Sequence, residues 1–140
     1  MIAFELNPPL DSVNWKSVSE IFRLVNWEKR NPKEIEISFN TSSVTCFVKD
    51  NNEIIGFGRT VDDGKYYALL VDIVIHPNYQ LKGIGKSIVD ELKSKLIGYE
   101  FITLTAAPDK EGFYQRLGWK KQKSAYIFPK DIKQAKDHCE

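Results

Sequence analysis

The sequence predicts an α+β fold with a mixed, mostly antiparallel sheet of six or seven strands and helices on both faces. Three observations lead to this prediction. Short runs rich in β-branched and aromatic residues, separated by polar turns, fill the middle of the chain as in a series of hairpins. An amphipathic helical repeat follows the last of these runs directly. A further β-rich run then allows the right-handed strand–helix–strand crossover of a parallel pair.

The first part of the chain predicts one strand and two helices. Residues 2–6 alternate weakly, as in a first strand. Apolar residues at near-helical spacing then predict a helix that is capped by Asp11 or Ser12 and ends near Asn26. A second helix is predicted from about residue 32 or 33 to residue 40, with proline at its first position. The apolar residues of this stretch also alternate as in a strand, so both interpretations stay open.

Three antiparallel strands are predicted between residues 44 and 75. The runs 44–48 and 53–61 flank a polar turn and form a hairpin. After a second polar turn, residues 66–75 are apolar on both faces apart from Asp72. Such a run is typical of a central strand that is covered from both sides.

The second half of the chain predicts two helices and two more strands. Residues 84–97 repeat apolar side chains at four-residue spacing, and Gly98 suits the end of that helix. Residues 101–105 predict a strand parallel to the run 66–75. A short helix is expected over 108–117, and residues 119–128 are expected to return as a last strand or hairpin.

Composition limits the classes of protein to which the chain can belong. The 140 residues are 42% hydrophobic, which is enough for one domain over residues 1–140. With 20 basic and 19 acidic residues the net charge is +1, so we expect no nucleic-acid partner. No apolar run approaches the roughly 18 residues of a membrane span. The start lacks the pattern of an export signal, and we expect a cytoplasmic protein. Cys46 and Cys139 have no metal-type spacing, so we expect neither a metal nor a disulfide framework.

The turn from residue 76 to residue 83 carries the strongest chemical signal. A strand-to-helix turn leaves backbone N–H groups at the helix start without partners, and the helix dipole adds partial positive charge there. A phosphate group suits such a site, and Lys82 and Lys86 favour it further. A glycine-rich turn by itself can also serve tight packing. The sequence does not fit the P-loop pattern, which disfavours a nucleoside triphosphate.

Three segments resemble the GNAT acetyltransferase superfamily, in the order and at the spacing of that family. Gln80-Leu81-Lys82-Gly83-Ile84-Gly85 fits the Q/R-x-x-G-x-G/A loop at every fixed position. Asp72-Ile73-Val74-Ile75-His76-Pro77 resembles the D-x-x-V-x-P strand, and residues 112–119 resemble the G-F-Y-x-x-L-G-F segment. The resemblance covers roughly residues 3–128. It implies an acetyl-CoA-dependent N-acetyltransferase.

The resemblance also implies where acetyl-CoA would bind. Gly83 and Gly85 would let the loop backbone approach the pyrophosphate, because a Cβ there would collide with it. Backbone N–H groups of residues 81–87 would bind its oxygens. The pantetheine arm would pair like a strand with the end of the central strand. The predicted coenzyme-binding residues are Ile73, Val74, Ile75, Gln80, Leu81, Lys82, Gly83, Ile84, Gly85, Lys86 and Ser87.

Tyr114 and Asp72 are the candidate catalytic residues. The family commonly places a tyrosine near the coenzyme sulfur, where a phenol with a pKa of about 10 can protonate a thiolate. Tyr114 could also simply pack in the core. Asp72 lies where some relatives keep an acidic residue, and burial among apolar neighbours should raise its pKa toward that of a useful base. It could act as a base, a water relay or a substrate-orienting group, or it could only hold the strand end. His76 is interpreted as structural.

The acceptor side is predicted from fewer residues. In the resembled family the loop between the first two helices lies over the acceptor, so Asn26 and Trp27 are predicted to bind substrate. Trp27 could form a wall of the site or pack under the second helix. Arg59 could bind acceptor charge, or it could be solvated at a hairpin end.

The favoured function is direct acetyl transfer to a small-molecule amine in a ternary complex, because no cysteine lies in a motif typical of an acetyl-enzyme. A protein N-terminus or lysine is the alternative acceptor. A non-catalytic acetyl-CoA sensor is a third hypothesis. Homodimers are common in the family, so the resemblance also allows a homodimer.

Overall fold

A computed structural model describes all residues from 1 to 140, as two compact units: residues 1–104 and residues 105–140. In the first unit the elements are β1 (Ile2–Leu6), α1 (Trp15–Leu24), α2 (Pro32–Asn40), β2 (Thr45–Asp50), β3 (Glu53–Asp62), β4 (Tyr67–Ile75), α3 (Ile84–Ser94) and β5 (Phe101–Leu104). The second unit contains α4 (Glu111–Arg116) and α5 (Ile132–His138). None of the helices is long and apolar enough to cross a membrane.

The sheet is mixed and mostly antiparallel, as predicted. Its five strands lie in the order β1-β2-β3-β4-β5, and every neighbouring pair from β1 to β4 is antiparallel. Strand β5 pairs with β4 in parallel, with Tyr67 opposite Phe101, so α3 lies in the predicted crossover. The chain thus has the expected α+β class, with five strands in place of six or seven.

The missing strand is the one expected over residues 119–128. That stretch belongs to no helix or strand, and the side chains of Tyr126 and Phe128 are almost fully exposed. Its only continuous apolar run is short and lies between a lysine-rich stretch and Pro129. So short a run offers little surface to bury on a pleated sheet.

Helices cover both faces of the sheet, which confirms that part of the prediction. Helices α1 and α2 pack on one face around a core that includes Phe22, Phe39 and Phe57. Helix α3 packs on the other face, where its Ile88 and Leu92 lie over β3. Strand β4 is less completely covered than predicted, because Tyr67 and Leu69 at its start are 58% and 40% exposed.

Helices α1 and α2 differ in how well the local sequence predicts the residue at which each begins. Helix α1 is capped by Asn14, whose side chain accepts a hydrogen bond from the Ser17 N–H at 3.2 Å. The predicted caps, Asp11 and Ser12, are wrong because both lie in a 3-10 turn before the helix. Helix α2 begins at Pro32 as predicted, with Asn31 as its cap, and the alternative of a strand is wrong.

Gly58 determines how closely α3 can approach the sheet. A Cβ at this position would lie 2.8 Å from Cγ2 of Ile88 and 3.2 Å from side-chain carbons of Ile73 and Leu92. The first distance is shorter than real carbon contacts, so any larger residue would push α3 away from β3. The lack of a side chain at Gly58 therefore allows α3, the helix after the glycine-rich turn, to pack closely on β3.

We expect Gly58→Ala to lower the free energy of unfolding by about 1–3 kcal/mol, because overpacking a tight contact costs that much. Urea denaturation of the full chain measures the loss. Gly112→Ala is a suitable control: in α4 the added Cβ would meet only the flexible end of Arg116, at 3.3 Å. Equal stability of Gly58→Ala and the wild type would show that α3 does not depend on this close approach.

Candidate active site

Strand β4 contains a β-bulge at its predicted functional end. Phe57 pairs with Val74 and Arg59 pairs with Val71, so Gly58 alone faces both Asp72 and Ile73. Asp72 has φ of +54°, in the left-handed region that residues other than glycine rarely adopt. A bulge interrupts the ladder of hydrogen bonds and re-aims side chains. The strand end that should meet the coenzyme is therefore irregular where Asp72 lies.

Asp72 forms two ion pairs at this bulge. Nη1 of Arg30 lies 2.9 Å from Oδ1, and Nε of Arg59 lies 2.8 Å from Oδ2. The Asp72 side chain is only 7% exposed. The expectation that Asp72 has apolar neighbours is therefore wrong, because two cations from distant parts of the sequence surround it. Each carboxylate oxygen already accepts a charge-assisted hydrogen bond, which suits a positioning role better than proton removal.

Arg59 is held inside the first unit rather than solvated at a hairpin end. Its side chain is 12% exposed, and the guanidinium lies 5.5 Å from the Phe39 ring centroid. Its Nη1 also donates to the backbone oxygen of Ser38 and to Oγ of Ser42, at 3.4 and 3.3 Å. These contacts use much of the donor capacity of Arg59. Binding of acceptor charge by Arg59 stays a prediction.

The loop between α1 and α2 reaches β4 through Arg30. The Arg30 guanidinium carbon lies 4.5 Å from the Phe22 ring centroid and 5.5 Å from that of Trp27. The backbone oxygen of Arg30 also accepts a hydrogen bond from Oγ of Ser19 at 2.6 Å. Arg30 is therefore stacked on two rings and paired with Asp72, a contact that its place in the sequence did not predict.

Trp27 and Asn26 take different roles in that loop. Trp27 is half-buried, and its ring packs on Phe22 at 5.5 Å between centroids, against a core cluster that also includes Ile35 and Phe39 of α2. Its role as a substrate wall stays a prediction. Asn26 has φ of +63° and its N–H donates to the Arg23 oxygen at 3.0 Å, which is the geometry that ends a helix.

A cavity of about 300 Å³ opens beside this ion-pair cluster. It has the size of a small-ligand site, and it lies between the α1–α2 loop, α2 and the bulge of β4. Charged groups dominate its wall. The lining residues are Glu28, Lys29, Arg30, Glu34, Ile35, Ser38, Phe39 and Asp72.

The glycine-rich turn has the predicted strand–loop–helix geometry. A 3-10 turn (Pro77–Tyr79) follows β4, and Gly83 precedes α3 with φ of +80°, a conformation that favours glycine. The first intrahelical hydrogen bond runs from the Ser87 N–H to the Gly83 oxygen at 3.2 Å. The N–H groups of residues 84–86 therefore have no acceptor within the helix. Leu81 is also left-handed and its side chain is fully exposed.

The side chains of the turn divide between holding it and facing solvent. Nε2 of Gln80 donates to the Ile75 oxygen at 3.1 Å, so Gln80 ties the loop to the strand end. Nδ1 of His76 accepts from the Asn78 N–H at 3.0 Å, a capping contact that agrees with the structural interpretation of His76. Lys82 and Lys86 are exposed, and Nζ of Lys86 also pairs with Asp90 at 2.6 Å.

The other predicted coenzyme residues lie on β4 and alternate between the two faces of the sheet. Val74 is buried in the core cluster with α1 and α2. Ile73 and Ile75 lie on the opposite face, beside Gly58 and Gly56. Ile73 belongs to the bulge itself, and the backbone of Val74 and Ile75 follows it directly.

Tyr114 belongs to the second unit. It lies on α4, half-buried, with ring contacts to Phe113 at 5.0 Å and Trp119 at 6.2 Å between centroids. Burial raises the pKa of its phenol above the ordinary value. The phenol therefore stays a proton donor at neutral pH.

Neither cysteine is placed as an obvious acyl carrier. Cys46 is fully buried in β2. This burial and, to a smaller extent, the negative charge of Glu91 raise the pKa of its thiol to about 12. A thiol of this kind is inert, because only the thiolate is a good nucleophile. Cys139 is exposed near the end of the chain. The structure also contains no group of three or more histidine, cysteine or acidic side chains arranged to hold a metal ion.

A bulged strand, a glycine-rich turn and an amphipathic helix thus follow one another within a mixed sheet. The sequence model of the acetyltransferase (GNAT) domain matches residues 42–121. This match covers more than half of the chain and includes the bulge, the turn and α4. The chain belongs to the GNAT acetyltransferase family.

Individual relatives agree with this family. The chain is 34% identical over 114 residues to an uncharacterized N-acetyltransferase, ycf52, of Pyropia yezoensis, and the match covers 77% of this chain and 66% of the relative. It is 27% identical over 120 residues to a chloroplastic GCN5-related N-acetyltransferase of Arabidopsis thaliana, covering 83% of this chain and 61% of the relative. The chain thus spans slightly less than two thirds of the length of these relatives.

Solved structures share the fold. A GNAT family acetyltransferase from Streptococcus pneumoniae superimposes with a TM-score of 0.74 at 23% identity, over 94% of this chain and all of that one. At this identity the similarity shows the fold alone. It includes the mixed sheet with helices on both faces.

Replacing Asp72 by asparagine should destabilise the first unit, because it leaves Arg59 buried without a counter-charge. Breaking a buried ion pair costs about 3–5 kcal/mol, and the partial exposure of Arg30 favours the lower end of that range. Chemical denaturation gives the free energy of unfolding. Glu20→Gln is the matched control: it removes the solvent-exposed pair with Arg23 and should leave the free energy of unfolding nearly unchanged. Similar losses in the two variants would contradict a supporting role for the Asp72 pairs.

Proposed function

We propose that this chain transfers the acetyl group of acetyl-CoA to a primary amine of a small molecule, by direct attack in a ternary complex. The observation that carries the proposal is the left-handed Gly83 turn, which starts α3 directly after the bulged strand. This arrangement offers consecutive backbone N–H groups and two exposed lysines to a pyrophosphate. The irregular strand end offers backbone groups to the pantetheine arm.

The reaction begins with an amine that must lose a proton. An alkyl ammonium has a pKa of about 10.4, so forming the neutral amine at pH 7 costs about 4.6 kcal/mol. Both oxygens of Asp72 are engaged by guanidinium groups. We therefore favour a role for Asp72 in orienting the acceptor pocket through Arg30. Desolvation in the cavity or a water molecule would assist the loss of the proton.

The neutral amine attacks the thioester carbonyl carbon and forms a tetrahedral intermediate. A backbone N–H near Val74 would stabilise the oxyanion, since hydrogen bonds aimed at developing charge are among the largest catalytic effects. Collapse of the intermediate forms the amide and breaks the carbon–sulfur bond. Tyr114 would give its phenolic proton to the coenzyme A thiolate, and the resulting phenolate would take up, by way of solvent, the proton that the attacking nitrogen loses as the amide forms.

The cavity is large enough for a small amine acceptor. About 300 Å³ suits a compact amine, and a protein N-terminus or a lysine side chain is the alternative acceptor. A non-catalytic acetyl-CoA sensor is a third possibility. These hypotheses differ in turnover: the sensor binds acetyl-CoA and releases no free thiol with any amine, whereas the enzyme releases thiol with a subset of a small-amine and peptide panel.

Gly85→Trp tests the coenzyme loop. We expect it to abolish acetyl-CoA binding, measured by isothermal titration calorimetry, because the indole would occupy space beside the N–H groups that start α3. Lys95→Trp places the same side chain at the opposite end of that helix and should bind acetyl-CoA normally. Circular dichroism should show both variants folded. Unchanged affinity in Gly85→Trp would contradict the loop assignment.

Tyr114→Phe tests the proton donor. We expect kcat to fall at least about tenfold while the acetyl-CoA Kd stays constant, because general acid catalysis contributes to the rate rather than to binding. The raised pKa of Tyr114 keeps the phenol protonated, so its contribution is fully present below pH of about 10 and lost only above it. Thiol release followed from pH 7 to pH 10 in both proteins checks this. An alkaline loss of kcat in the wild type that begins near pH 8 would contradict the assignment.

A further inference from the structure

Tyr79 connects the coenzyme loop to the first hairpin of the sheet. Its hydroxyl donates to Oδ2 of Asp50 at 2.7 Å. Asp50 is the last residue of β2, 29 positions earlier in the chain, at the turn into β3. The hydrogen bond raises the pKa of the Tyr79 phenol and lowers that of the Asp50 carboxyl, so the phenol remains the donor. A loop that follows β4 is thereby attached to the turn of the neighbouring β2–β3 hairpin, at the same end of the sheet.

The ring of Tyr79 also organises two neighbours within the loop. Nζ of Lys82 lies 5.4 Å from the ring centroid, within the range of a cation–π contact. The His76 ring meets it edge-on, with centroids 5.9 Å apart and planes at 86°. Lys82 is one of the two exposed lysines beside the start of α3. The position of this cation therefore depends on the placement of the Tyr79 ring.

The loop needs such an attachment because its backbone has little regular structure to hold it. Leu81 and Gly83 both have positive φ, at +63° and +80°. Their neighbour Gln80 reaches back to Ile75 and gives one side-chain contact. Tyr79 gives the other, and it is half-buried whereas residues 80–83 are exposed.

We propose that Tyr79 is a positioning residue for the pyrophosphate of acetyl-CoA: its hydroxyl, held by Asp50, fixes the loop, and its ring fixes Lys82. This inference rests on the proposed binding of acetyl-CoA to the loop. A pre-formed site binds more tightly because less ordering accompanies binding. Tyr79 itself does not need to touch the coenzyme.

If Tyr79 positions the pyrophosphate, its substitution should weaken only those ligands that carry a pyrophosphate. Acetyl-CoA carries the pyrophosphate, whereas S-acetylpantetheine carries the same thioester without it. Tyr79→Phe keeps the ring and removes only the hydroxyl. We expect it to raise the Kd of acetyl-CoA about three- to tenfold, as suits the loss of one hydrogen bond. The Kd of S-acetylpantetheine should stay constant, which a general loss of stability would not produce.

Matched variants separate this contact from a merely structural one. Tyr99→Phe removes a similar bond, from the Tyr99 hydroxyl to Oδ2 of Asp62 at 2.9 Å, and should leave the Kd of acetyl-CoA unchanged. Tyr79→Leu removes the ring as well and should weaken binding further. That additional loss should disappear when Lys82 is already alanine, because the ring then has no lysine to position.

Calorimetric titration of the full chain measures each affinity, and amide hydrogen exchange measures the loop without any ligand. We expect faster exchange of residues 80–87 in Tyr79→Phe than in the wild type or in Tyr99→Phe. Equal losses for acetyl-CoA and S-acetylpantetheine, or unchanged loop exchange, would overturn the role of Tyr79. Failure of the wild type to bind acetyl-CoA would instead refute the proposed function, and the exchange result would still decide whether Tyr79 anchors the loop.

Discussion

The buried carboxylate of Asp72 imposes the main physical constraint on the first unit. A charge in this position is costly unless partners compensate it, and its backbone is in a left-handed conformation that costs about 1–3 kcal/mol in a residue with a side chain. Arg59 of β3 and Arg30 of the α1–α2 loop supply the compensation. Three elements are therefore joined at the point where β4 leaves regular pairing. The bulge persists because these contacts hold it.

The same strand serves the two halves of the candidate site in different ways. On the face of α1 and α2, Asp72 and Arg30 border the charged cavity. On the other face, Gly58 lets α3 lie close to the sheet. This packing also determines the position of the turn that leads into α3. Displacing α3 would move the start of the helix relative to the strand end. The proposed acceptor and coenzyme sites thus depend on one strand but on separate contacts.

Local patterns in the sequence were enough to predict most of the fold. The hairpin, α3 and the crossover to β5 follow from apolar periodicity and turn residues, because each of these signals lies within a short segment. For α2 the apolar pattern left helix and strand open, and only proline at the first position favoured the helix. The start of α1 was mispredicted because a 3-10 turn used the residues that looked like caps. The last strand failed for a different reason. Residues 119–128 contain strand-forming side chains but too few in sequence to stabilise an edge.

The candidate site also contains features that adjacent residues predict and features that they do not. The glycine-rich turn could be recognised from adjacent residues, and its left-handed Gly83 agrees with that prediction. The surroundings of Asp72 could not, because its partners lie 42 and 13 positions away and no periodic pattern relates them. The same holds for Tyr79 and Asp50. Ion pairs and hydrogen bonds across the fold depend on tertiary proximity, which single-sequence patterns do not carry.

Two carboxylates whose contacts could not be predicted from the sequence hold the two ends of the segment from the β4 bulge to the turn before α3. Asp72 binds guanidinium groups at the bulge, and Asp50 binds the phenol of Tyr79 in the turn. Between them lie the residues of β4 that would face the pantetheine arm, and the residues that would face the pyrophosphate follow Tyr79 directly. Because both ends are held by contacts within the protein, the backbone N–H groups are placed before any ligand arrives. Acetyl-CoA binding would then need little reorganisation of this segment, which is the condition under which backbone hydrogen bonds contribute most to affinity and to transition-state stabilisation.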